Sequence, residues 1–166
     1  MPPPDVYVGG MELLLEPPHG AGPVRLGMTL DQAVAAVSPW GEPRVRTRPN
    51  RVLVTVSAVC DGVGVQALLE ERDTVTAVEL WWPGEGRQSS TRVLLGEVDV
   101  FRTPADELLK GLPAHDADGE DPFVPGLSLG FTRRTSQKVP RRPDGLPLGF
   151  TSVLVGGADY YDHRLR

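Results

Sequence analysis

Apolar and polar residues alternate most clearly between positions 51 and 82. Val52, Val54 and Val56 interleave with Leu53, Thr55 and Ser57, the period-two pattern of a strand whose two faces meet different surroundings. Asp61-Gly62 supplies a tight turn into Val63, Val65, Ala67 and Leu69. Arg72-Asp73 supplies a second turn into Thr74 to Trp82, and Pro83-Gly84 ends the run. Three strands joined by such short turns are predicted to form an antiparallel meander. Upstream the period changes. Leu30, Ala33, Val34 and Val37 fall on one helical face, preceded by Thr29 and with Gln32 three positions after that threonine. A hydroxyl and an amide so spaced form a capping box, which satisfies two backbone donors at a helix start. Pro39 should stop the helix near Ser38, with Trp40 closing over its end. Val24 to Met28 reads as a short strand and turn, and Val6 to Leu15 holds room for one short strand before Pro17-Pro18. The helix has an apolar stripe to bury, and the nearest surface is one face of the meander.

Sliding the chain along itself by 74 residues sets Val24, Leu26 and Thr29 on Val98, Val100 and Thr103. In the second copy Thr103 is the expected cap, Pro104 and Asp106 the first and third helical positions, and Leu108, Leu109 and Leu112 the buried stripe. At about the same shift the Val52 to Val56 strand meets Leu127 to Phe131, and Val75 to Trp81 meets Phe150 to Val155. The middle strand has no counterpart, because its place holds the basic, proline-rich stretch Gln137 to Pro143. The expectation is an α+β fold of two related units, each a short helix packed on an antiparallel sheet, with the strands able to join in one continuous sheet. An N-terminal segment, 1–19, precedes a first unit at 20–90 and a second, degraded unit at 91–166, all in one compact structure.

A resemblance accompanies the first unit. Gly22-Pro23-Val24-Arg25-Leu26-Gly27-Met28-Thr29, then a short helix and Pro39-Trp40-Gly41-Glu42-Pro43, resembles the opening of small α+β domains of the SmpA/OmlA lipoprotein and β-lactamase-inhibitor-protein type. Uncharacterised actinobacterial proteins carry similar openings. The matching residues span 22–43 of 166. The resemblance implies tandem units whose combined concave sheet grips a partner enzyme, and hence a non-enzymatic interaction module of inhibitor or immunity type. The chain departs from those families in having one cysteine, Cys60, where the inhibitors contain disulfides.

Composition narrows the chemistry. Nineteen glycines and seventeen prolines lie between the apolar runs, which implies many short elements. A single cysteine forms no intramolecular disulfide and no multi-cysteine zinc site. Seventeen Lys and Arg against twenty-two Asp and Glu give a net charge of −5, which opposes broad adsorption to nucleic acid or anionic lipid. Met1-Pro2-Pro3-Pro4-Asp5 lacks the basic and apolar parts of a secretory signal, and no stretch reaches the roughly 20 apolar residues that span a bilayer, so a cytoplasmic protein without a membrane partner is expected.

The candidate site is aromatic. Trp81 and Trp82 are consecutive in a strand, so one ring enters the helix-covered core and the other projects from the opposite face. A projecting indole beside Arg51, Thr55 or Glu79 suits a protein partner, and the competing expectation is that other segments cover it. Tyr160-Tyr161 repeats the argument with less force. His115-Asp116-Ala117-Asp118-Gly119-Glu120-Asp121 gathers carboxylates beside an imidazole, but its glycine stands fourth where a calcium loop needs it sixth, so a solvated loop is expected. His19 and His163 lack helical partners, Cys60 lies in an apolar strand, and no phosphate-loop or G-x-G-x-x-G dinucleotide fingerprint occurs. No cofactor or metal is expected. Arg133, Arg134, Lys138, Arg141 and Arg142 form a basic run, read as a solvated connection that would lie opposite the acidic loop and make the molecule dipolar. The alternative to a binding module is a small-ligand or enzymatic domain that uses a cleft between the units, with His115 at its rim.

Overall fold

Short apolar runs cut by glycine and proline give twelve strands and two α-helices among the described residues, 11–48, 53–70, 73–82, 90–135, 139–158 and 160 of a computed structural model. Seven strands form the larger sheet, in the order β10 (Phe123–Val124), β11 (Leu129–Thr132), β12 (Ser152–Gly156), β7 (Ala77–Trp81), β6 (Val63–Glu70), β5 (Leu53–Cys60) and β4 (Arg44–Arg48). Every neighbouring pair is antiparallel. The predicted meander is β5, β6 and β7. Asp61 and Gly62 make its first turn, both at positive φ (47° and 88°), as a two-residue hairpin of the I′ kind requires.

A second sheet was not foreseen. Its order is β3 (Val24–Arg25), β2 (Gly20–Ala21), β1 (Glu12–Glu16), β8 (Arg92–Leu95) and β9 (Val98–Asp99). The strands β1 and β8 run parallel with Leu13 beside Val93, so a strand from the start of the chain joins hairpins from both halves.

The first helix, α1 (Leu30–Val37), carries the predicted capping box. Gln32 N–H donates to Thr29 Oγ1 at 3.2 Å and Thr29 N–H donates to Gln32 Oε1 at 2.9 Å. It runs into a 3-10 turn at Ser38–Trp40, where Trp40 packs against the core. The second helix is α2 (Ala105–Leu109). Ala33 and Val37 of α1 and Ala105, Leu108 and Leu109 of α2 share one core with Leu13 and Val93 of the small sheet and Val56, Val65, Val78, Leu80 and Val153 of the large one. Helices and small sheet therefore cover the same face of the large sheet.

The two halves correspond in their hairpins, helix starts and the strands β7 and β12. Hairpin β2–β3 pairs Ala21 with Val24 and Gly20 with Arg25, and hairpin β8–β9 pairs Leu95 with Val98 and Leu94 with Asp99, each position displaced by 74. Gly22 and Gly96 turn the two hairpins at φ 55° and 63°. One extra residue then enters the second copy, and the displacement becomes 75 for the bridges Thr29–Thr74 and Pro104–Gly149, the helix starts Leu30 and Ala105, and the strands β7 and β12. Those two strands pair with each other, and Glu79 lies opposite its own equivalent, Leu154, at the centre of a local two-fold.

The extra residue overturns the predicted second cap. Pro104, not Thr103, is the N-cap of α2, Asp106 is second in the helix, no side chain caps it, and the helix ends before Leu112. The Asp99 carboxylate instead accepts from the N–H groups of Phe101 and Arg102, both at 3.2 Å, and holds the turn that precedes the helix. The strand expected at Leu127 to Phe131 begins at Leu129, because Pro125–Leu127 forms a 3-10 turn. It pairs directly with β12, in the place that β6 takes beside β7, so the second half has one strand fewer.

Candidate functional site: the open face of the large sheet

Alternation along each strand sorts the large sheet into two faces. Val56, Val65, Leu80 and Val153 turn toward the helices, so Thr55, Gln66, Glu79 and Leu154 turn away, and none of these four belongs to the core cluster. Both helices bury their stripes on the other side, which leaves this face without a helix among the described residues.

Trp81 and Trp82 separate as alternation requires. Trp82 turns to the helix side, where its ring lies 5.7 Å from that of Phe101 and 4.8 Å from the Arg102 guanidinium. Trp81 turns to the open face and lies flat on Gly64, its partner across the β6–β7 ladder; a Cβ on Gly64 would strike the indole. The glycine gives the ring a seat, and the ring covers backbone that would otherwise be bare. Tyr160 repeats the device at Gly156, and its hydroxyl lies 2.9 Å from Glu70 Oε1.

Of the sequence-predicted residues, Thr55, Glu79 and Trp81 share the open face, Trp82 leaves it for the core side, and Arg51 and Tyr161 lie outside the described residues. Thr55 is buried between its ladder partners Arg46 and Leu68. Glu79 is half-buried between Gln66 and Leu154, and burial pushes its carboxyl above the ordinary carboxylate range. Glu79 also borders a depression of about 210 Å³ with Asp121, Thr132 and Ser152.

Sequence reasoning missed the seats, Gly64 and Gly156, which only strand register reveals. It also missed β4, although Arg44-Val45-Arg46-Thr47-Arg48 alternates legibly and places three arginines on the open face beside Ser57, Thr55 and Leu53.

The charged loops are not opposite poles, as the sequence suggested. Arg134 donates to Glu120 at 2.8 Å and to Asp121 at 2.7 Å, so the acidic loop and the basic run neutralise each other. Arg142 pairs with Asp144 at 3.0 Å. Arg133 is wholly buried, donating to the Ala117 carbonyl and lying over the Phe150 ring, which makes it a staple and not a solvated charge. Lys138 lies outside the described residues.

A cleft of about 280 Å³, built from the second half with Trp82 of the first, is lined by Trp82, Phe101, Pro104, Pro147 and Phe150, with Arg102 as its one charged residue among those described. His115 is exposed, stacked on Phe123 at 5.1 Å and away from that cleft. Cys60 is buried beside Thr91, and burial pushes its thiol up. Among the described residues no three His, Cys, Asp or Glu side chains are grouped to hold a metal, and no helix is long and apolar enough to cross a membrane. No protein family, curated protein or solved structure matches the chain.

Proposed function

We propose that this chain is a non-enzymatic, cytoplasmic binding module of inhibitor or immunity type, which covers a partner enzyme or toxin with the open face of its seven-stranded sheet. The observation that carries the reading is Trp81 held flat over Gly64 on a face that no described helix covers. A rigid indole with few rotamers to lose is the kind of anchor on which interface energy concentrates. Gln66 and Glu79 provide polar neighbours on the same face. The tandem hairpin, helix and sheet layout supports the resemblance to the SmpA/OmlA and β-lactamase-inhibitor-protein type.

The test is affinity capture from the source organism with the wild-type chain, Trp81→Ala, and Lys110→Ala at the exposed residue that follows α2. A protein retained by the wild type and Lys110→Ala, and weakened about 30-fold or more by Trp81→Ala at unchanged fold, is the expected result. Equal recovery of every protein by all three would defeat the reading.

A further inference from the structure

The strand β4 forms one border of the large sheet, and all five of its residues are exposed. Its ladder partner is β5 alone, so the backbone groups on its other side meet no strand among the described residues. Arg44, Arg46 and Arg48 project to the open face, opposite Ser57, Thr55 and Leu53. None of the three has an ion pair with a described residue, whereas Arg25, Arg92, Arg102, Arg133, Arg134 and Arg142 each have at least one. A row of three positive charges, without an ion pair among the described residues, thus lies on an open strand edge.

Charge selects what that edge accepts. A second copy pairing β4 with β4 would set arginine against arginine in every register that keeps the faces matched, and like charges directly opposite are unfavourable. Alternate residues of a strand stand roughly 7 Å apart, the spacing of carboxylates at every second position of another extended chain. We infer that an extended segment of a protein partner, with Asp or Glu at alternate positions, adds to β4 as an eighth strand. Its backbone bonds to the free edge, and its carboxylates face Arg44, Arg46 and Arg48. The inference rests on the binding role proposed above and names the chemistry recognised at one border of that face.

Fluorescence anisotropy with a labelled peptide of alternating Glu and Val tests it on the intact protein. Saturable binding is expected, about tenfold weaker for Arg46→Glu and absent for the matching Lys peptide. N-methylation of every second peptide residue should abolish binding in one phase and spare it in the other, since only one phase removes edge-facing donors. No anisotropy change, equal binding of both methylated phases, or equal binding of a single-stranded oligonucleotide would each overturn the inference. The peptide is read without the captured protein and the capture is read through Trp81→Ala, so failure of the peptide and failure of the Trp81 reading are separable.

Discussion

Glu79 bears the electrostatic consequence of lying mid-sheet. Burial raises its carboxyl pKa in the folded chain, so the fold gains from its protonation at acid pH and loses that gain as pH rises through the elevated folded value. Glu79→Gln is therefore expected to raise the melting temperature at about pH 7 and to leave it unchanged at about pH 3, below the ordinary carboxylate range. Melts at the two pH values check this; equal shifts at both would contradict it. The adjacent arginines should behave oppositely to each other. Arg133→Ala empties a buried site and releases the Ala117 carbonyl and the Phe150 ring, a loss of about 2–3 kcal/mol in denaturant unfolding. Most of that is packing, because Asp106 is largely exposed and its charge is screened. Arg134→Ala, which removes only surface pairs, should leave the denaturation midpoint nearly unchanged.

At the level of elements, the two halves use one plan with different closures. The α1 start is fastened by a reciprocal capping box, and the α2 start by the Asp99 turn and a bridge from Pro104 to Gly149. Thr29→Ala should destabilise the protein by about 1 kcal/mol, whereas Thr103→Ala should stay within about 0.5 kcal/mol, since no hydrogen bond ties the Thr103 hydroxyl to α2. Parallel urea titrations of the two variants decide it, and equal losses would mean that Thr103 caps after all. The capping box was legible because its partners are three residues apart. The inserted residue before α2 was not, because an alignment of short apolar runs tolerates a slip of one that hydrogen-bond register does not.

Across the whole molecule, β7 and β12 join the halves in one sheet, and the core runs without a break from Leu13 to Val155. Unfolding is expected as a single transition, with tryptophan fluorescence, which reports on the first half, coinciding with far-ultraviolet circular dichroism; separated midpoints would show that the halves melt independently. The antiparallel meander, the first helix with its cap, and the opposed directions of Trp81 and Trp82 follow from residue order alone, because period and capping act over a few neighbours. The parallel pairing of β1 with β8, the seating of Trp81 on Gly64, the burial of Arg133 and the neutralisation of the acidic loop belong to the tertiary structure. Each depends on which distant strand or loop lies alongside, and that is settled by the shared burial of both halves in one core.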